Sequence, residues 1–396
     1  MAGPVPCILT FLPGRTRYDE GIPTSSFKGD RPIMKKTFLV LALMAALRSA
    51  SGQPALKDVF QNDFLIGAAL NASQFDAPDS RAAALVKQQF NAISPENVLK
   101  WGPVHPAPGQ FNFAAADRYV AFGESNRLAV IGHTLVWHGQ TPDWVFQDGQ
   151  GRPVRRDVLL QRMREHIFAV VGRYRGRIKG WDVVNEALQD DGSLRPTPWL
   201  KILGEDYLLE AYRFAHEADP AAELYYNDYA LENRAKRNGA LALVKRLQAG
   251  GIPLAAVGLQ GHYTLQSPRI SELDATITAF ARLGVKVNIT ELDVDVLPDG
   301  AKDLKLSAKS NPYTNGLPDQ MQQKLAERYA ELFGVFLQHR HEIDRVTLWG
   351  VTDGDSWLNY FPVQGRTNYP LLFDRQGHPK PALAAVVRQA LGSGNR

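Results

Sequence analysis

The 396-residue chain has a single cysteine, Cys7, close to its start. Disulfide scaffolding and thiol chemistry are thereby excluded for all that follows it. Long apolar runs are missing as well. The run over 37–47 spans 11 residues, against the about 20 needed to cross a bilayer. No G-x-S-x-G is present, which argues against a serine hydrolase elbow. H-E-x-x-H is absent, and the first strand-like run ends in Gly67-Ala68-Ala69-Leu70, with neither an H-x-H pair nor the G-x-G-x-x-G spacing of a nucleotide-binding turn. Metal-dependent hydrolysis using His133, His138 and His262 therefore has little support, because His133 and His138 stand five apart across a strand end. Ser/Thr/Pro-rich linkers and internal repeats are also lacking, so no appended module is expected.

What is present at the N-terminus is a basic start, Met34-Lys35-Lys36, then the short apolar run, then Ala50-Ser51-Gly52. This is the pattern of a cleaved export signal over 34–52. Residues 1–33 read as a disordered extension or a start codon placed too early, and 53–396 as the working domain, exported to the periplasm or beyond the cell. The whole chain carries 45 Lys/Arg against 41 Asp/Glu, and residues 1–52 carry 7 against 3. The part after the signal is thus formally neutral. Its composition offers no electrostatic case for nucleic-acid or membrane partners.

From residue 56 on, short apolar runs alternate with longer amphipathic ones. Strands are predicted over 64–70, 90–94, 128–133, 178–184, 223–226, 257–260, 285–290 and 345–349. Helices are predicted over 80–89, 114–126, 158–174, 207–219, 236–249, 270–283 and 318–339, with a last one over 382–390 before a fraying Gly392-Ser393-Gly394. Asp79-Ser80 and Gly250-Gly251 supply boundary signals. Eight buried runs in βα alternation predict an α/β fold with a parallel sheet, a single (β/α)₈ TIM barrel with extended loops. A doubly wound open sheet is the rival, and it lacks its glycine loop.

In such a barrel, chemistry sits where strands end. Glu291 and Asp293 close the seventh run at i and i+2, on one side of the strand. Alone they could simply mark a strand surfacing into solvent. The fourth run, however, ends in Asn185-Glu186, across the barrel from Glu291. Two carboxyls facing each other are what glycosidic bond hydrolysis requires, one to protonate the leaving group and one at the anomeric carbon. Asn185 is placed to meet a sugar 2-hydroxyl, and His262 with Asp293 to orient Glu291 and hold it ionised. Glu186 must start protonated and become more acidic once Glu291 loses its charge. Trp137, Trp349 and Trp357 suit apolar walls for sugar rings, whereas Trp101, Trp144, Trp181 and Trp199 read as core. Glu96, Asn97, Lys100, His133, Gln140, Asn227 and Gln260 suit a neutral polyhydroxyl ligand.

Together these runs, in this order over about 56–391, resemble glycoside hydrolase family 10, the retaining endo-β-1,4-xylanases. The resemblance implies a (β/α)₈ barrel that cleaves xylan or xylo-oligosaccharides internally with net retention, as a monomer and without cofactor or metal. By that resemblance Glu186 is the acid/base and Glu291 the nucleophile, supported by Asn185, His262 and Asp293. Glu96, Asn97, Lys100, His133, Trp137, Gln140, Gln260, Trp349 and Trp357 line the glycone side, and Tyr229 stacks on the aglycone side. Two departures are visible. Ala230 stands where the family usually has Asn, which weakens the expected leaving-group contacts, and Leu99 replaces the more usual Met. A related endo-glucanase and a non-catalytic xylan-binding barrel are the alternatives. Relative rates on xylan and carboxymethyl-cellulose decide the first, and reducing-end release decides the second.

Overall fold

The computed structural model describes residues 54–77, 79–298 and 306–393. The expected export signal and the extension before it lie outside the described residues. The described chain forms nine strands: β1 (Leu65–Leu70), β2 (Ala92–Pro95), β3 (Ala129–Val136), β4 (Gly180–Asn185), β5 (Glu223–Asp228), β6 (Leu254–Leu259), β7 (His262–Thr264), β8 (Lys286–Asp295) and β9 (Ile343–Leu348). All pairings are parallel. Each of β1 to β6 lies beside the next, β6 pairs with β8, β8 with β9, and β9 returns to β1. Eight strands thus close a barrel, and every predicted strand is one of them. Closure removes sheet edges and sets all eight C-terminal ends around one mouth.

Strands such as β4 and β9 are buried along nearly their whole length. This is why neither shows the strict apolar/polar alternation of a half-exposed strand. Helices cover the outside, among them Arg81–Gln89, Ala114–Ser125, Arg156–Arg173, Asp206–Ala218, Arg234–Ala249, Ile270–Ala281 and Asp319–Gln338. The Ser80 hydroxyl caps the first of these through the amide of Ala83, and Gly251 at φ 77° turns the chain out of Arg234–Ala249. The last helix starts at Pro381 and runs through to Ser393, beyond the predicted 390. Its apolar residues Leu383, Val386 and Val387 are buried, and tertiary packing carries it through Gly392 despite that residue's low propensity.

One difference bears directly on the site. The seventh predicted strand was bounded at 290, yet β8 continues to Asp295. The extra length is paired by β7, where His262 lies opposite Asp293 and Thr264 opposite Asp295. Glu291 and Asp293 therefore sit inside a strand, not where one surfaces. Both are buried, so the solvated reading of this acid pair does not hold.

Candidate active site

Glu291 is built into the barrel mouth by three strands. Its Oε1 accepts a 2.7 Å hydrogen bond from Asn227 Nδ2 at the end of β5, and its Oε2 lies 3.1 Å from His262 Nε2 on β7. The other ring nitrogen of His262 is 3.1 Å from Asp293 Oδ1, and Asp293 Oδ2 in turn accepts from the Trp357 indole at 2.8 Å. Burial on its own favours a neutral imidazole. The two carboxylates outweigh it, Asp293 foremost, and push His262 up to about 10. The imidazolium that results donates to both acids. Burial likewise works against charge on Glu291, but the His262 hydrogen bond, the fields of His133 and His262, and the Asn227 amide together hold its carboxyl below the usual range. An ionised carboxylate is therefore ready in a nearly dry site.

Glu186 follows β4 with φ at 55°, in the left-handed region that side chains rarely adopt. Its amide donates to the Asn227 carbonyl at 2.9 Å. Its Oε2 accepts from the Trp137 indole at 3.0 Å, and its Oε1 from Gln260 Nε2 at 3.0 Å and Asn185 Nδ2 at 3.3 Å. Asn185 Oδ1 accepts from Asn227 Nδ2 at 2.9 Å. The two glutamates are thus joined through a pair of amides, which fixes one relative to the other. This bridge needs Gly258 on β6. A Cβ there would stand 2.3 Å from Asn227 Oδ1 and 2.8 Å from Thr290 Cγ2.

The remaining expected residues divide by side. Lys100 Nζ donates to Asn97 Oδ1 at 3.1 Å and lies 5.1 Å from the Trp137 ring centroid. Burial lowers its pKa, opposed by Glu291, Glu96 and Glu186. Gln140 reaches Asn97 at 3.5 Å. Burial raises the Glu96 pKa, with Lys100 the main opposing charge. His133 Nδ1 is 2.9 Å from Asp182, and its ring meets Trp349 edge to face at 5.6 Å. Trp349 and Trp357 both pack on His262, at 6.2 and 4.8 Å. Trp101, Trp181 and Trp199 are buried in the core, and Trp144 is partly buried against it.

Asn227, expected among the substrate-binding residues, is fully buried. Its amide nitrogen is spent on Glu291 and Asn185, and its oxygen accepts from Thr290 Oγ1 at 2.6 Å. It holds the machinery together from beneath.

Sequence reasoning also missed two cations around Tyr229. The hydroxyl of Tyr229 accepts from Arg195 Nη2 at 2.7 Å, and Arg195 Nε donates to the Glu186 carbonyl at 3.2 Å. Lys236, with no exposed surface, places Nζ 3.3 Å from the Tyr229 ring centroid and 2.9 Å from Asp228 Oδ1. Neither residue stands in a strand-end motif, and a basic residue on a helix reads as solvated.

A barrel with two amide-linked glutamates, walled by indoles at its C-terminal mouth, has the layout of a glycosidase site. The family model that matches the chain, over residues 55–389, is described as glycosyl hydrolase family 10. The chain belongs to glycosyl hydrolase family 10. It is similar to endo-1,4-beta-xylanase A of Xylanibacter ruminicola, 43% identical over 358 residues that cover 88% of this chain and 97% of the relative. Similarity to the endo-1,4-beta-xylanase of Geobacillus stearothermophilus is 45% over 341 residues, covering 85% and 99%. Among solved structures, a family 10 endoxylanase retrieved from a sugarcane soil metagenome superposes with a TM-score of 0.82 at 44% identity, covering 85% of this chain and all of that one. As a family 10 member the chain is a glycoside hydrolase.

Proposed function

We propose that this glycoside hydrolase is an exported endo-1,4-β-xylanase that cleaves internal xylosidic bonds with retention, using Glu291 as nucleophile and Glu186 as acid and then base. The observation that carries this reading is the pairing of two carboxyls at one barrel mouth, tied together through Asn185 and Asn227. Glu291 is held ionised by His262 and Asn227, and Glu186 is fixed across from it by the Trp137 and Gln260 donors. Glu291 attacks the anomeric carbon, and Glu186 gives its proton to the departing sugar oxygen. A covalent xylosyl-enzyme forms, and Glu186, now the base, activates the water that releases it. Loss of charge on Glu291 at the ester stage makes Glu186 more acidic, which suits its second role.

Four results support or sink this reading. Glu291→Gln should lower kcat by at least about 10⁴-fold, since no other group can form the ester. Glu186→Ala should spare the first step on aryl xylobiosides and give a β-glycosyl azide when azide is added. An early-time NMR spectrum showing the inverted anomer would reject retention. Xylan should be hydrolysed far faster than carboxymethyl-cellulose, because Trp349 and Trp357 leave little room for a 6-hydroxymethyl group. Export is tested separately, by N-terminal sequencing of the protein recovered outside the cytoplasm, with a new terminus near Gly52 expected.

A further inference from the structure

Among the described residues, two of the large apolar side chains left exposed are neighbours in one loop of the barrel mouth. Phe361 is 58% exposed and Tyr360 45%. Phe361 stacks on Trp357, ring centroids 5.3 Å apart and planes 17° from parallel. Trp357 is the ring that packs on His262 and donates to Asp293, so Phe361 extends outward a wall that begins beside the nucleophile. Tyr360 turns toward the side where Glu96 lies. Its hydroxyl reaches the Asp355 carbonyl at 3.5 Å, and partial burial together with the charges of Glu96 and Asp355 raises its pKa.

The loop that presents these rings is braced, not loose. Asn359, just before Tyr360, is buried. Its Nδ2 donates to the Asp353 carbonyl at 2.9 Å, and its Oδ1 accepts from the Asn368 amide at 2.9 Å and Arg375 Nη2 at 3.1 Å. Asp353 is clamped by Lys380 at 2.9 Å. The amides of Tyr360 and Phe361 both donate to the Trp357 carbonyl at 3.0 Å. A loop held this firmly has no need of exposed rings for its own stability. Two aromatic faces fixed in advance beside a sugar site bind a pyranose with little ordering cost.

We propose that Tyr360 and Phe361 form a further sugar platform, which takes a xylosyl residue of the main chain beyond those met by Glu96, Asn97 and Lys100. This rests on the xylanase reading above. The test compares wild type with Tyr360→Ala/Phe361→Ala on xylohexaose and on an aryl xylobioside too short to reach the platform. The ratio of their kcat/KM values should fall roughly tenfold in the variant, the scale of one lost ring contact. A parallel fall on both substrates would mean that the rings only back Trp357, and an unchanged ratio overturns the platform either way. A loss seen only with arabinose-decorated chains would reassign the rings to a substituent and reject the main-chain proposal. Failure of the underlying reading is distinguishable, because wild type would then release no sugar from xylohexaose. Both side chains are largely exposed, so the variant should fold, and an unchanged melting temperature checks this.

Discussion

At the scale of single residues, the ionisation of Glu291 depends on His262. The imidazolium lies between Glu291 and Asp293, and its hydrogen bond is the largest influence lowering the Glu291 pKa. Glu291 acts as a carboxylate, so its depressed pKa sets the acid limb of kcat/KM below the usual carboxylate range. Replacing His262 by Asn, too short to reach Glu291, should move that limb to higher pH and lower kcat/KM on the order of 10²-fold. The same ring has a stability signature. Its folded pKa, about 10, lies above an unfolded value of about 6.5, so its contribution is complete below 6.5 and lost as pH rises toward 10. Urea midpoints of the wild type should fall through that window, and those of His262→Asn should fall less. A second position is strained without any such return. Ala230 has φ 51°, where a Cβ costs about 1 kcal/mol or more that Asn partly avoids. Ala230→Asn should raise the melting temperature and, by restoring a polar group beside Tyr229, lower KM for long oligosaccharides, as calorimetry and initial rates can show.

Elements place these residues, and here the limits of sequence reading become clear. The eight barrel strands are visible because each is a short stretch with apolar residues clustered in it, set between longer amphipathic stretches. β7 is invisible, being three residues long. Yet it lengthens β8 and brings His262 against Glu291, so an acid pair that taken alone could mark a surfacing strand end is buried in the fold. An Asn at a strand end resembles a ligand contact, and only the closeness of β4, β6 and β8 shows that the Asn227 amide bridges Asn185 and Glu291. Lys236 belongs to the same class. It looks like an exposed charge on the helix Arg234–Ala249, yet it is a buried cation that ties this helix to β5 and to the Tyr229 ring. Asp228 is pushed up to about 6 by burial even with Lys236 and the Tyr226 hydroxyl opposing. Lys236→Met strands this carboxyl and should cost about 3–5 kcal/mol in urea unfolding. Lys236→Met/Asp228→Asn should recover much of the loss. If Tyr229 depends on the cation beneath it, the double variant will still bind aglycone sugars poorly, which KM on xylo-oligosaccharides reads separately.

For the whole molecule, activity and stability should part company in acid. His105 and His166 are buried in one stack. The Trp101 ring lies 3.7 Å from His166, the Phe111 ring 3.9 Å from His105, and the two Nδ1 atoms are 3.4 Å apart. One ring must accept from the other, and burial disfavours charge on both. Burial lowers His105 to about 4, opposed only by Glu165, and drives His166 well below its ordinary value, with His105 adding to the effect. These are bases whose folded pKa is depressed. The unfolded chain takes up their protons from about pH 6.5 downward, and stability declines from there until the folded pKa is passed. Glu291 behaves oppositely, since its lowered pKa keeps the carboxyl charged over the same interval. Near pH 5 a brief assay should therefore still give substantial initial rates, while the melting temperature has already dropped and preincubation destroys activity. His166→Gln keeps a hydrogen-bonding partner for His105 but no longer titrates. It should flatten the fall in melting temperature between pH 6.5 and 4 and leave the acid limb of the initial rate where it was. If the two limbs shift together, acid inactivation originates at the glutamates and not in this stack.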